Sequence, residues 1–459
     1  MTPSEALRDV WAFGDLPSDA LARAILTGTD PVLPSSFAVG TAAQSSVAAA
    51  ALAACELGHV RGQARQNVSV DMQHAALECS GWFSLDGRVP DPWDKFSGLY
   101  RCADGWVRIH ANFAHHRDGA LRLLGLSSKT AQRADAERVM LTWKVLDFEQ
   151  AAADAGLVVA ALRSFERWDQ HPQGQAVAAL RLLRFERIGD APPRELPALH
   201  ADDRPLTGVR VLDLTRILAG PVCGRALAAY GAEVMLVNSP HLPNIASIAD
   251  TSRGKLSAHI DLQTQEGRSA LDSLLADAHV FVQGYRPGGL DALGFSPQAI
   301  AARRPGIVCV SLSAYGETGP WHERRGFDSL VQTATGFNHA EAEAAGSPDP
   351  KPLPMQILDY ATGHLMAFAA AAALRRQTIE GGSWHVRLSL AQTGHWIRNL
   401  GRVANGFAVA RPDRAPYLET AASGFGELVA LRHSARLART PARWGRPSMP
   451  PGTHPPIWP

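Results

Sequence analysis

Four glycine-containing stretches, 216–221, 253–255, 283–289 and 313–319, carry arginine, lysine or tyrosine in a pattern suited to a phosphorylated, adenine-bearing ligand. Glycine lets backbone N–H groups approach a pyrophosphate, and a few cations meet the remaining charge. Standard signatures are missing: the chain has no GxxxxGK[ST], HExxH, GxSxG or EF-hand loop. Gly220 and Gly224 do not supply GxGxxG, which disfavours a nicotinamide or flavin site. His110, His115 and His116 lie close together, but no Asp, Glu or Cys stands at ligand spacing, so they read as surface or capping residues rather than a metal site. Cys55, Cys79, Cys102, Cys223 and Cys309 are scattered without CxxC spacing, as expected of buried, reduced thiols.

The first of these loops is held by the stretch 208–237, GVRVLDLTRILAGPVCGRALAAYGAEVMLV. Apolar residues at 209–214 predict a strand, Ala219-Gly220-Pro221 a turn, 223–230 a helix that Gly231 stops, and 233–237 a second strand. In such a β-α-β unit ligands dock at the carboxyl end of the first strand, where the helix presents unpaired N–H groups. Strands over 259–262, 280–283 and 307–312 alternate with helices over 264–276 and 297–303. The predicted fold class is therefore α/β, a doubly wound, mostly parallel, Rossmann-like sheet with a second, smaller α+β domain.

The earlier half is organised differently. An alanine-rich helix from Gly40, a polar loop over 58–67 and the segment VSVDM at 68–72 have a counterpart around 361–397, which suggests an internal duplication. Residues 98–126 read as a hairpin around Asp104-Gly105 followed by a helix. A Pro- and charge-rich linker, GDAPPRELPALHADDRPLTG, puts a boundary near residue 200. The expected division is 1–200, 201–400, and a tail over 401–459 that packs on the other two. The 459 residues are 46% hydrophobic with a formal charge of +1, and neither a nucleic-acid footprint nor a membrane surface is indicated. Apolar runs last about ten residues, half of a bilayer span. The N-terminus is acidic and lacks the pattern of a secretory signal, so a cytoplasmic location is expected.

Three runs carry a resemblance: GVRVLDLTRILAGPVCGRALAAYGAEV, RGKLSAHIDLQTQEGRSALDSLLADAHVFVQGYRPGGLDALGF, and RPGIVCVSLSAYGETGPWHERRGFDSLVQTATG. Over roughly 205–400 they resemble family III CoA-transferases, a group that includes the formyl-CoA and carnitine CoA-transferases and the α-methylacyl-CoA racemases. The resemblance implies a catalytic aspartate at Asp359, in PLPMQILDYATGHLMAFAAAAAL. From spacing alone, Asp359 reads as a helix N-cap, and the two roles are compatible. A carboxylate there would attack a thioester to give an aspartyl anhydride, then an aspartyl-CoA thioester that an acceptor acid displaces.

The same resemblance implies a CoA groove lined by Ile217, Ala219, Leu262, Tyr285, Arg286, Leu290 and Leu293, with Arg325 as a phosphate partner. CoA enters as a substrate, with no tightly bound cofactor and no metal. Racemases pair the aspartate with a histidine after the glycine of a GxD segment. Here that segment is Gly326-Phe327-Asp328, and Phe327 cannot move a proton. Transfer is thus favoured over racemase or isomerase chemistry, and a non-catalytic CoA-binding role stays open as the other alternative, on the groove residues that depart from the pattern. Asp328 is expected to fix its loop. Leu218 and Asn238-Ser239-Pro240 depart from the family pattern, and residues 41–190 resemble the family's later portion although they come first. That permuted order implies one active site per chain, built by the second half, and family members imply an interlocked homodimer.

Overall fold

Seven strands form the central sheet of the computed structural model, which describes all 459 residues. Their spatial order is Lys255–His259, Glu233–Asn238, Arg210–Leu214, Val280–Gln283, Val308–Ser313, Ser383–Ser389 and Arg184–Gly189. The first six are parallel and follow the chain order 3-2-1-4-5-6 of doubly wound nucleotide-binding folds; the last is an antiparallel edge. Their central residues are buried on both sides, as parallel strands covered by helices require. Alternate residues feed two cores. Val211, Val234, Val282 and Val310 join the larger, and Leu212, Met235, Phe281 and Cys309 the smaller.

One strand and one helix boundary shift from expectation. The third strand is Lys255–His259 rather than 259–262, because the Lys255 ammonium is wholly buried and paired, which lets a charged residue open a strand. The first crossover helix, Ala219–Ala229, begins inside the predicted turn, with Gly220 and Pro221 in its first turn, where a proline costs no hydrogen bond.

The larger core runs from Ala6 to Leu437, so the boundary near residue 200 does not divide it. At its centre lie two alanine-rich helices packed along each other: the first, Val39–Val60, and the second, Ile357–Glu380. Alanine permits that close approach while burying both helices almost all round. The second is long and apolar enough to cross a membrane, but its apolar window lies wholly inside the protein. Each is followed by a strand and a capped helix. Asp71 accepts from His74 N–H at the head of Met72–Glu78, and Ser389 from Gln392 N–H at the head of Leu390–Asn399.

Within 1–200 the separately cored α+β unit is smaller than expected. The strands Gly98–Arg101, Trp106–Ile109 and Val159–Ala161, with three helices between them, enclose 17 buried residues from Phe96 to Ala161. The tail adds strands rather than a domain: Leu418–Ser423, Gly426–Leu431 and Ala435–Leu437, two of them paired with Phe83–Leu85 and Val68–Asp71 of the first half.

Candidate active site

The chain order of the sheet reverses between Arg210–Leu214 and Val280–Gln283, and the loops leaving these strands flank the crevice where such sheets bind ligands. The first loop is pinned from below. Lys255 Nζ donates to Asp213 Oδ2 at 2.8 Å and to the Pro221 carbonyl at 2.7 Å, and the Thr215 hydroxyl donates to the other Asp213 oxygen. A side chain at Gly224 would occupy the space of this pair, since its Cβ would stand 2.2 Å from Asp213 Oδ2. Above that floor Ile217 adopts φ 75°, a left-handed conformation that costs a β-branched residue about 1–2 kcal/mol. Strain of this kind persists where surrounding structure enforces it, commonly at binding sites.

Arg253 and Lys255 do not serve as phosphate cations. Arg253 pairs with Asp250 and Glu419 and stacks 3.7 Å over the Trp444 ring, and Lys255 is consumed by Asp213. Both are buried among partners that use their charge.

Asp359 is the third residue of the second alanine helix, not its cap. The cap comes from elsewhere: Asp328 Oδ2 accepts the Asp359 backbone N–H at 2.9 Å, and the same carboxylate meets the Leu358 N–H. Asp328 therefore does more than fix its own loop. One helical turn after Asp359, Gly363 brings this helix onto the first crossover helix; a Cβ there would lie 2.5 Å from the Ala219 carbonyl oxygen. The contact presents Asp359 to the first loop, where the Ala219 N–H is the group that favours its charged form. Burial and the neighbouring Asp328 charge outweigh it and hold the Asp359 carboxyl well above the usual carboxylate range. Burial likewise pushes Asp328 up to about 7.

The small α+β unit supplies a wall that the sequence did not reveal. Val107 and Ile109 face its own core, whereas Arg108 and His110, on the opposite face of Trp106–Ile109 and its extension, meet the 326–328 turn. His110 stacks on Phe327 with ring centroids 4.0 Å apart, and the Arg108 charge acts on Asp328. His110 and His116 are thus buried wall residues, not surface or capping ones; His115 alone stays exposed. Burial, with His116 and Arg108 nearby, lowers His110 to about 3, so its imidazole is neutral. Arg216 reaches across from the first loop to lie 5.6 Å from the Phe113 ring.

Of the other predicted residues, Leu262, Tyr285, Leu290 and Leu293 all pack on the smaller core, on one side of the sheet. Ile217 and Ala219 belong to the larger core on the other. Arg216 bridges the two groups electrostatically, since it lowers the Tyr285 hydroxyl that burial raises. Arg286 is exposed, and Arg325, also exposed, donates to the Gly156 carbonyl at 3.2 Å and so ties the loop to the small unit. Asn238 ends the second strand buried, with Oδ1 unpartnered.

Residues 206–408 match the sequence model of CoA-transferase family III. An acyl-CoA transferase of Gibberella moniliformis is 30% identical over 381 residues, 73% of this chain and 66% of that protein. The succinate–glutarate CoA-transferase of Agrobacterium fabrum is 29% identical over 46% of this chain and 60% of its own length. The crystal structure of Rv3272 from Mycobacterium tuberculosis is similar at 33% identity and a TM-score of 0.39, over 43% of this chain and 57% of that one. The chain thus spans two thirds or less of these relatives. With the sheet order and the matched residues together, the chain belongs to CoA-transferase family III.

Proposed function

We propose that the protein transfers CoA from an acyl-CoA thioester to a free carboxylic acid, with Asp359 as the nucleophile. The supporting observation is the Asp359 carboxyl at the head of a buried helix, turned toward the Ala219 N–H at the end of the first loop. In the first step an Asp359 oxygen attacks the thioester carbonyl, the C–S bond breaks, and CoA leaves as thiolate. The thiolate then attacks the Asp359 carbonyl of the mixed anhydride and releases the donor's carboxylate. The acceptor carboxylate attacks the resulting aspartyl-CoA thioester, forming a second anhydride. The thiolate finally takes the acceptor acyl group and Asp359 is regenerated.

A raised carboxyl pKa suits this role, because the ionised form is the stronger nucleophile for being poorly solvated. The Ala219 N–H, at the N-terminus of its helix, would stabilise the oxyanion of each tetrahedral intermediate. CoA would lie over Ile217 and Ala219 toward Tyr285, Leu290, Leu293 and Leu262, with Arg286 and Arg325 at the exposed rim. The pairing of chains as an interlocked dimer and a cytoplasmic location belong to the same proposal; light scattering of the purified protein tests the first.

Incubation with an acyl-CoA followed by hydroxylamine or borohydride, then peptide mass spectrometry, tests the mechanism. Modification at Asp359, lost in Asp359→Asn, is expected. Exchange of the α-proton without an acceptor acid would indicate racemase chemistry, and neither reaction a non-catalytic protein.

A further inference from the structure

The strands of the tail help enclose a cavity of about 760 Å³ that the CoA-transfer reading leaves unused. It lies at the far end of the sheet from the switch-point crevice. Arg253, in its wall, stands two residues before the strand Lys255–His259, and Arg446 lies 4.0 Å from Glu233, the first residue of Glu233–Asn238. The crevice opens beyond the carboxyl ends of the same parallel strands.

The lining is cationic and incompletely paired. Arg253 spends its charge on Asp250 and on Glu419, the one carboxylate in the wall. Arg432, Arg436 and Arg443 also line the cavity and form no ion pair, and Arg436 and Arg443 are exposed to it and to solvent. Arg432 gives one N–H to the Pro416 carbonyl, while its Nε is buried without a partner. Ser448 is 1% exposed, and its hydroxyl is likewise unpartnered. Donors left without acceptors cost free energy that a ligand rich in anionic oxygens recovers. The wall is also held in place beforehand. His433 Nδ1 lies 3.0 Å from Glu78 Oε1 and its Nε2 2.9 Å from the Tyr230 hydroxyl. Trp444 donates its indole N–H to the Arg225 carbonyl at 3.0 Å, with the Arg253 guanidinium 3.7 Å over its ring. Groups fixed in this way lose little freedom when a ligand arrives.

We infer that this cavity binds a small molecule carrying two or more phosphate groups, held by Arg432, Arg436, Arg443 and Arg446 with the Ser448 hydroxyl as a neutral donor. Four guanidinium groups exceed the charge of one phosphate, and their forked N–H groups match phosphate oxygens in pairs. The volume falls within the roughly 300–1,000 Å³ of small-molecule sites. The inference stands whether or not Asp359 transfers CoA.

Calorimetry of the full chain tests it, with inorganic pyrophosphate as the probe, ionic strength fixed, and CoA saturating so that the crevice is filled. One pyrophosphate per chain is expected. Its affinity should fall at least about tenfold in Ser448→Ala, which loses a bond to a charged acceptor, and in the double variant Arg436→Gln with Arg443→Gln. Because these groups have no protein partner, ligand-free melting temperatures should stay within about 2 °C of the wild type, and the acyl-CoA KM should not change. ADP in place of pyrophosphate separates two sources of the same chemistry: binding at least about tenfold tighter identifies a nucleotide, and equal or weaker binding a free polyphosphate. Where the double variant does not fold, Ser448→Ala carries the test. Absence of saturable pyrophosphate binding, binding that disappears once CoA fills the crevice, or binding undiminished in the variants overturns the inference.

Discussion

Asp328 Oδ2 accepts the backbone N–H of Asp359 at 2.9 Å, so one carboxylate caps the helix that carries the other and sets its charge state. Because the Asp328 charge raises the Asp359 pKa, Asp328→Asn should lower it. The acid limb of kcat/KM is then expected to move down by about one pH unit, read from a pH–rate profile. Stability should respond too. A carboxyl whose folded pKa is raised contributes stability that is fully present below its unfolded value of about 3.9 and is lost as pH rises through the folded value. For Asp328 the folded value is about 7, so denaturation midpoints of Asp328→Asn should vary less between about pH 4 and that value than those of the wild type.

Gly363 sets the distance between the aspartate's helix and the first loop. A methyl there would press on the Ala219 carbonyl at 2.5 Å and on Val222 Cβ at 2.7 Å, both in the first crossover helix and unable to swing away. Gly363→Ala is expected to destabilise by about 1–3 kcal/mol and to cut kcat by about 100-fold, since a shift of about 1 Å misplaces the nucleophile. Urea denaturation beside single-turnover kinetics separates the two effects.

The main sheet was legible because its strands are short apolar runs buried on both faces, punctuated by Gly231 and by helix-starting polar residues such as Thr264. Asp359 came from resemblance, since spacing alone reads it as a cap; its true cap, Asp328, lies in a different helix, which no local pattern encodes. Lys255 and Arg253 misled for a related reason: a charged side chain reads as a solvated or ligand-facing group until its buried partners, Asp213 and Asp250, are known. Arg108 and His110 were hidden because a strand of one half is pressed against a turn of the other. Periodicity gives the two faces of a strand but not what each face meets.

Gln173, in the segment WDQHPQGQA, staples the halves together. Its amide nitrogen donates to the Tyr315 and Thr318 carbonyls at 2.9 and 2.8 Å, and its oxygen accepts from Trp321 N–H at 2.6 Å. These bonds fix the loop that follows the Val308–Ser313 strand, one of the four first singled out. Gln173→Ala leaves buried carbonyls unpaired and should cost about 2–4 kcal/mol. Thermal melts measure that loss, and a rise in acyl-CoA KM larger than any fall in kcat would show that the loop helps hold the substrate.

The two alanine helices are capped alike, each by a carboxylate from elsewhere in the chain that accepts the N–H groups of their second and third residues. Asp30 accepts Gly40 N–H at 3.1 Å and Thr41 N–H at 2.8 Å, as Asp328 accepts from Leu358 and Asp359. Thr41 thus occupies the place of Asp359, and its hydroxyl is spent on Asp30 at 2.7 Å. A threonine carries no carboxyl and so cannot form the anhydride, and its hydroxyl is held on Asp30, so each chain should trap the acyl intermediate on Asp359 alone. Mass spectrometry of the trapped protein should show a single modified site, retained in Thr41→Val and lost in Asp359→Asn. Asp30→Ala removes a helix cap and should cost about 1–2 kcal/mol in chemical denaturation without changing that stoichiometry. A second modified residue in the first alanine helix would mean that the duplicated half still reacts.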